Sequence, residues 1–211
     1  MDFSVRSSQK ELLDERDIPS ADLYLNLKEL AVINRFLGGH KTTIAGLKKI
    51  INDRQKTWKI IDLGCGGGDT LRAIADWATA QKISVELTGV DMKAEAIEYA
   101  QAQSREYSIT YILADFKTLS KGTYDIATSA LFCHHLSDQE NQTMLSIKLD
   151  LATYALINDL HRHPLAYYSI KLLTSLFSKS YLVKNDAPLS VARAFKRTDF
   201  KRMFGQNPSS H

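Results

Sequence analysis

The sequence contains little cysteine and no long apolar run. Cys65 and Cys133 are its two cysteines in 211 residues, and neither belongs to a Cys-x-x-Cys pair. A disulfide framework or a cysteine-based zinc site is therefore not expected, and a reducing cytoplasm fits. No apolar run approaches the roughly 20 residues of a membrane span, and the first residues lack the apolar segment of a secretory signal. The composition, 44% apolar and 24% charged, predicts a cytoplasmic globular protein with one sizeable core.

The net charge is only +3, but it is unevenly distributed. From His161 to the end, nine basic residues stand against two acidic ones, so this part carries most of the positive charge. Such asymmetry is typical of a protein with an acidic partner or an anionic surface nearby, and equally of a solvated basic face. The sequence leaves both interpretations open.

The hydrophobic pattern divides the chain into three parts. Residues 1–57 predict an N-terminal helical cap, in which one helix begins near Ser20 and ends at Gly38-Gly39. Residues 58–163 alternate between strand and helix patterns, which predicts an α/β, Rossmann-like core: a doubly wound, mostly parallel sheet with helices on both faces. Residues 164–211 predict a helical lid and a basic C-terminal segment. The predicted strands are 58–63, 85–90, 109–113, 124–130 and 153–157, and the predicted core helices are 69–81, 94–106 and 138–149.

Further helices and segments are expected outside the core. A short second helix of the cap is predicted over 43–51, and an apolar helix over 165–177. Beyond it we expect a non-helical segment around Asp186-Ala-Pro188, a short helix near 190–195 and a disordered tail over 205–211.

A glycine-rich loop follows the first predicted strand. Glycines at this place let the backbone approach a ligand closely, and the helix that they open directs free N–H groups at it. A phosphate-binding Walker loop requires Lys-Ser/Thr after its last glycine, but Asp69-Thr70 stands there. The dinucleotide fingerprint G-x-G-x-x-G fails as well, because its sixth position is Asp69 when counted from Gly64 and Leu71 when counted from Gly66. A nucleoside triphosphate and a nicotinamide dinucleotide are both disfavoured.

The loop instead reads D-x-G-x-G-x-G from Asp62 to Gly68, and it resembles the first motif of the class I S-adenosylmethionine-dependent methyltransferases. The resemblance implies S-adenosylmethionine as cofactor. It implies that Asp91 holds the ribose hydroxyls and that Met92 lies against the adenine. Asp115 and Phe116 match the acid that takes the adenine amino group and its aromatic neighbour. The residues that the resemblance assigns to the cofactor are Asp62, Gly64, Cys65, Gly66, Gly68, Asp91, Met92, Asp115, Phe116, Ala130 and Leu131.

Two further resemblances narrow the class. Residues 131–138, Leu-Phe-Cys-His-His-Leu-Ser-Asp, resemble the segment after strand four in small-molecule methyltransferases related to the ubiquinone and menaquinone biosynthesis enzymes. Residues 34–39 and 157–164 are similar to a bacterial subgroup associated with aromatic polyketide or phenolic chemistry. The resemblance implies a small, largely apolar acceptor, such as a phenol, a quinone or a polyketide, that is methylated on oxygen or carbon.

Several polar residues are candidates for the methyl-transfer chemistry. Methylation of a phenol or carbon acid requires removal of a proton, and histidine suits this task because its pKa lies near neutrality. We expect His161 to act as the base, with Asp159 orienting it and Asn158 contacting acceptor or cofactor. His134 can either act as a base or hold its loop through backbone hydrogen bonds. No metal is expected, because Ser129-Ala130-Leu131 ends strand four where the resembling catechol-type enzymes carry an acid.

The chain also departs from the pattern that it resembles. That family has seven strands, the last two forming an antiparallel hairpin, whereas five are predicted here and the C-terminal hairpin is missing. A truncated, non-catalytic cofactor-binding or interaction protein is therefore the alternative function. An Asn/Asp-Pro-Pro-Tyr/Phe motif is absent after strand four, which disfavours adenine and glutamine acceptors. We expect a small-molecule acceptor and neither DNA nor RNA as partner. A membrane-surface contact through 165–177 and a homodimer stay open.

Overall fold

A computed structural model describes residues 2–15, 17–119 and 121–205. Within these ranges the sheet has five strands in the order β3-β2-β1-β4-β5, and all neighbouring pairs are parallel. The chain after β5 is helical as far as it is described. The predicted Rossmann-like fold without the C-terminal hairpin is confirmed. The strands are β1 Trp58–Leu63, β2 Val85–Asp91, β3 Ile109–Leu113, β4 Tyr124–Ala130 and β5 Ala152–Asn158. The helices are α1 Ser20–Leu37, α2 Gly39–Ile50, α3 Asp69–Gln81, α4 Ala94–Gln103, α5 Asp138–Leu151, α6 Pro164–Phe177, α7 Tyr181–Arg193 and α8 Arg197–Phe204.

The core lies on both faces of the sheet. Consecutive residues of a strand point to opposite faces, so Ile60 and Ile61 of β1 enter two different clusters. Ile60 packs with Leu71 and Ile74 of α3, whereas Ile61 packs with Met144 of α5. Both isoleucines are at most 1% exposed. Burial on both sides explains why the central strands read as nearly continuous apolar runs.

The cap helices begin and end for local reasons. Gly38 adopts a left-handed conformation, with φ of 90°, and this ends α1 where the sequence predicted. The second helix begins at Gly39, four residues before the predicted start. Its first turn is polar and therefore invisible to a search for apolar periodicity, and the Thr42 hydroxyl donates back to the Gly38 carbonyl.

Residues 2–15, which we call the N-terminal strap, are not helical apart from one turn at Leu12–Asp14. The strap packs against the end of α7. The Ser7 amide donates to the Ala192 carbonyl at 3.0 Å, and the Arg6 Nε donates to the Arg193 carbonyl at 2.8 Å. The prediction of a helical cap over the whole of residues 1–57 is therefore wrong for this segment.

Helix α7 replaces the non-helical segment that was predicted around Asp186-Ala-Pro188. Pro188 lies inside the helix, where it removes one backbone hydrogen bond. The helix forms nevertheless because it is deeply packed: Leu182 and Val183 are at most 1% exposed. The short helix expected near 190–195 is the end of α7, and α8 was not predicted. Of the expected disordered tail, residues 206–211 lie outside the described residues.

Part of the basic excess of the C-terminal part is used inside the molecule. Arg162 is 1% exposed, lies 3.0 Å from the Asp199 carboxylate and donates to the carbonyls of Phe3, Ser4 and Ala194. A wholly solvated basic face is therefore not what these residues form. None of the described helices is long and apolar enough to cross a membrane.

Candidate active site

The loops at the carboxyl ends of β1 to β4 surround one cleft of about 250 Å³. This is the edge where open α/β sheets bind ligands, and the cleft lies at the point where the strand order reverses. Five of the predicted cofactor residues line it, and sequence reasoning did not single out the other three. The lining residues are Gly64, Val90, Asp91, Met92, Ala114, Asp115, Phe116 and Phe132.

The glycine loop is fastened to the end of β2. The amides of Gly64 and Cys65 donate to the Val90 carbonyl at 2.9 and 3.0 Å, and the Gly66 amide donates to Asp91 Oδ2 at 2.9 Å. Gly64 and Gly66 have φ of 74° and 49°, a region that residues with a side chain enter only at a cost. The loop therefore presents bare backbone to the cleft, beside the Asp91 carboxylate.

Two acids and two apolar surfaces complete this side of the cleft. Asp91 Oδ1 accepts from the Lys93 amide at 3.0 Å, and Asp115 Oδ1 accepts from the Lys117 amide at 3.0 Å. These bonds fix both carboxylates while leaving further acceptor sites on their oxygens. The Phe116 ring is 8% exposed and the Met92 side chain is 69% exposed, so an apolar wall lies beside each acid.

Phe132 covers the first glycine of the loop. A Cβ atom built on Gly64 would lie 2.3 Å from the Phe132 ring, so the ring rests directly on the Gly64 backbone. The ring also meets Phe116 edge-on, with centroids 6.0 Å apart. Leu131, the residue before it, has φ of 54°, a strained conformation for a leucine. Leu131 does not line the cleft, and its backbone conformation instead sets the direction of Phe132.

The remaining predicted cofactor residues lie behind the cleft wall. Asp62 is 1% exposed, and its Oδ1 accepts from the Thr128 hydroxyl at 2.7 Å. Burial raises the pKa of this carboxyl to about 6. Cys65 packs in the apolar core, and burial raises the pKa of its thiol. Gly68 ends the loop under the Tyr111 hydroxyl. Direct cofactor contact by Asp62, Cys65, Gly66, Gly68, Ala130 or Leu131 stays a prediction.

The prediction that Asp159 orients His161 is wrong, whereas the role of His161 as a base stays a prediction. Asp159 Oδ1 lies 2.7 Å from His134 Nδ1, and its Oδ2 accepts from the His134 amide at 3.1 Å. His161 is exposed, and its ring stacks on that of His163 with centroids 6.1 Å apart. The carboxylate therefore orients the histidine of the turn after β4, not the one that lies two residues along the chain.

His134 and Asn158 have structural contacts. His134 is 3% exposed and is held by Asp159, which supports the loop-holding alternative over that of a base. The Asn158 amide donates to the Gly39 carbonyl at 2.9 Å and to the Thr43 hydroxyl at 2.8 Å. Its donor group is thus occupied in joining α2 to the end of β5, and the expected contact of Asn158 with acceptor or cofactor is not what this geometry provides.

A polar network behind the glycine loop was missed by sequence reasoning. Asp69 Oδ2 accepts from Asn34 Nδ2 at 2.9 Å and lies 2.7 Å from His40 Nε2. Burial alone would raise the pKa of Asp69, but the hydrogen bonds from His40 and Asn34 lower it below its ordinary value. Since Asp69 is the first residue of α3, its charge also favours the start of that helix. The sequence signal for this network was the motif over residues 34–39. Its structural role could not be inferred, because Asp69, the hydrogen-bond partner of Asn34, lies 35 residues further along the chain.

Comparisons with known proteins agree with this geometry. Residues 60–149 match the family model described as a methyltransferase domain. The chain is 33% identical over 85 residues to the ubiquinone biosynthesis O-methyltransferase of Vibrio parahaemolyticus, and this aligned stretch covers 38% of this chain and 34% of the relative. It is 28% identical over 99 residues to the ribosomal protein L11 methyltransferase of Dechloromonas aromatica, and this aligned stretch covers 47% of this chain and 32% of the relative. The chain thus matches about a third of the length of these curated relatives.

The fold is also shared with solved structures. The plantazolicin methyltransferase BpumL in complex with SAH is similar with a TM-score of 0.59 at 20% identity, covering 87% of this chain and 73% of that one. A second structure of the same enzyme, with a triazolic desmethylPZN analog and SAH, gives 0.59 at 21% identity, with 87% and 66% covered. Residues 60–149 are thus similar to a methyltransferase domain, and the chain shares the fold of a methyltransferase solved with SAH.

Proposed function

We propose that the cleft binds S-adenosylmethionine and that the protein transfers the methyl group to a small, largely apolar acceptor. The observation that carries the proposal is the convergence of three strand ends on one cleft. Gly64 follows β1, Asp91 ends β2, and Asp115 follows β3. An adenosine offers two ribose hydroxyls, an amino group and a flat ring, and this cleft offers carboxylate acceptors and apolar walls for them.

The residues present fit this ligand better than a phosphate-bearing one. The lining residues include the carboxylates of Asp91 and Asp115, and among the described residues of the lining none is basic. Two carboxylates suit a cationic sulfonium and ammonium, whereas they would repel a pyrophosphate. The bound cofactor would supply an electrophilic methyl group. The residues of this chain would bind it, align it with the acceptor and exclude water.

The acceptor class rests on the relatives as well as on the sequence. A ubiquinone biosynthesis O-methyltransferase and the plantazolicin methyltransferase BpumL are both similar to this chain. By analogy with them, we propose a phenol, quinone or polyketide-like acceptor, methylated on oxygen or carbon.

The general base stays a prediction, with His161 as the candidate. Asn158, at the end of β5, is paired with Ala130 at the end of β4, so His161 follows a strand end at the same edge of the sheet as the cleft. Its imidazole is exposed. Because Asp159 is occupied by His134, the base would act without an orienting carboxylate.

Calorimetry with S-adenosylhomocysteine tests the binding step. We expect a single site, and an Asp91→Ala variant should lose at least about tenfold in affinity, since a charge-assisted hydrogen bond contributes roughly 1.5–3 kcal/mol. Asp150→Ala is the matched control, because Asp150 is an exposed acid at the end of α5, away from the cleft. Absence of binding by a folded sample would remove the assignment.

A methyl-transfer assay over a panel of phenols, quinones and polyketide acids tests the chemical step. His161→Ala should lower kcat by about a hundredfold if it is the base, while the affinity for S-adenosylhomocysteine stays unchanged. His163→Asn is the control, since His163 Nδ1 accepts from the Leu165 amide at the start of α6 and asparagine caps a helix equally well.

The second candidate function is cofactor binding without turnover. The observation that favours it is the Phe132 ring on Gly64, which covers the first glycine of the loop at the cleft. Tight binding of S-adenosylhomocysteine with no methyl transfer to any member of the panel would support this alternative.

A further inference from the structure

A cluster of buried ionisable side chains joins the N-terminal strap to the turn after β4. Glu11 comes from the strap, and His134 and His135 come from the turn. Glu11 and His134 are 2% and 3% exposed, and the His135 side chain is 16% exposed. None of the three lines the cleft, although the ring of His135 lies beside that of Phe132.

The three side chains point at one another. Glu11 Oε1 lies 3.8 Å from His134 Nε2, and Glu11 Oε2 lies 3.7 Å from His135 Nε2. One ligand atom from each residue lies within 4.8 Å of the other two. Ligand atoms around one tetrahedral zinc ion are about 3.3–3.5 Å apart, given bonds of about 2.0–2.1 Å. Each Glu11 oxygen lies within a few tenths of an ångström of that spacing from one imidazole, and an ion held by all three groups would draw them closer together than the 4.8 Å within which they now lie.

The outer nitrogens of both imidazoles are already held by carboxylates. His134 Nδ1 lies 2.7 Å from Asp159 Oδ1, and His135 Nδ1 lies 2.9 Å from Asp14 Oδ1. A carboxylate on Nδ1 keeps the proton there, so Nε2 is left with a lone pair directed at Glu11. This arrangement of carboxylate, histidine and free Nε2 is the one that supports metal-bound histidines in proteins.

One inner atom of the cluster lacks a hydrogen-bond partner in the part of the chain that the structure describes. Glu11 Oε1 is buried and has no hydrogen-bond partner among the described residues. If both imidazoles are neutral and carry their proton on Nδ1, three acceptors face one another, and a cation or a proton between them relieves this repulsion.

The charges around the cluster leave room for a dication. Glu11, Asp14 and Asp159 carry three negative charges when ionised. Arg193 supplies one positive charge, with its Nε 3.7 Å from Glu11 Oε1 and an Nη 3.1 Å from Asp14 Oδ2. The same guanidinium donates to the carbonyls of His134 and His135, so it is held in place. With neutral imidazoles, the balance of minus two matches one divalent ion.

We propose that Glu11, His134 and His135 bind a divalent transition-metal ion, with zinc favoured by the two imidazoles and one carboxylate, and that this ion fastens the strap to the turn after β4. Two nitrogen ligands and one oxygen ligand occur in zinc sites that have three protein ligands and a water in the fourth position. The burial of Glu11 and His134 leaves no path for an acceptor, so the role is structural. This inference is independent of the proposed methyl transfer, and it departs from the sequence expectation of no metal, which considered only the end of strand four.

Metal analysis of the full chain provides the test. After chelator treatment and addition of zinc, we expect one equivalent to be retained in competition with a chromogenic chelator. Cobalt bound in place of zinc should give the intense visible absorption bands that are typical of a low coordination number. His135→Gln should weaken zinc binding at least a hundredfold, and Asp14→Asn about tenfold through the lost support of His135. His163→Gln removes an exposed histidine outside the cluster and should change nothing.

Two results would overturn the proposal. One is a folded wild-type chain that retains no zinc, with Glu11→Gln more stable than wild type in urea, because the cluster would then share a proton instead. The other is zinc binding that His135→Gln leaves unchanged. Since His135 is the most exposed of the three ligands, its glutamine variant is the one expected to fold, and circular dichroism checks this.

Limited proteolysis tests the fastening role. Lys10 is exposed in the strap, and trypsin should cut there faster in the chelator-treated chain than in the zinc-loaded chain. Equal cleavage rates in the two states would overturn that role.

Discussion

Phe132 is the residue through which the cleft can be opened by mutation. Its ring rests on Gly64 and meets Phe116 edge-on at 6.0 Å and His135 at 6.2 Å. If the cofactor must displace this ring, the lost contacts are subtracted from the free energy of binding. Aromatic pairs of this kind contribute about 0.5–1.5 kcal/mol each, so losing both pairs costs about 1–3 kcal/mol. Phe132→Ala removes that cost, and the affinity for S-adenosylhomocysteine should rise about tenfold.

Titration calorimetry of wild type and variant at the same pH and salt measures the change. Phe36→Ala is the matched control, because Phe36 is 79% exposed on α1 and its removal should leave the affinity unchanged. A fall in affinity for Phe132→Ala would refute the reasoning, since it would mean that the ring packs against the ligand in place of covering its site.

Two further predictions concern stability. Lys148 is fully buried, and burial lowers its pKa to about 8. Above that pH the unfolded chain keeps a proton that the folded chain has released, so the stability of wild type should rise relative to Lys148→Met between pH 7 and pH 10, by an amount on the order of 2 kcal/mol. Urea unfolding at the two pH values measures this difference, and a flat difference would contradict a depressed pKa. Gly68→Ala should destabilise by about 2 kcal/mol or more, because φ is 71° there and the new Cβ would lie 2.2 Å from the Tyr111 hydroxyl. Gly38→Ala is the control, because Gly38 has φ of 90° and a Cβ there would have no atom within 4 Å. This variant should lose only the stability that the unfavourable backbone conformation costs. Equal losses of stability in urea for the two variants would exclude a contribution from the Tyr111 contact.

The sheet and one wall of the cleft could be predicted from the sequence because their signals are local. The β3 and β4 patterns gave the observed bounds, and α3 runs from Asp69 to Gln81 as expected. Parallel strands bring their carboxyl ends to one edge, so the meeting of Asp91 with Asp115 followed from the strand assignments alone.

The errors arose where a side chain chooses a partner far along the chain. Asp159 has His161 two residues away, yet it binds His134, which is 25 residues away. Glu11 has no local signal at all, because its neighbours come from the turn after β4. Pro188 predicted a break, but the packing of α7 outweighed the local preference.

Arg162 has a consequence for the synthesis of the chain. Its guanidinium donates a hydrogen bond to the carbonyl of Phe3 across 159 positions of sequence, donates to the carbonyl of Ala194, and pairs with the Asp199 carboxylate. Contacts of such separation form slowly and late. The segment around Phe3 must therefore wait, undocked, until the segment around Asp199 has been synthesised, and during that interval the surface that it later covers is open to chaperones and to neighbouring nascent chains.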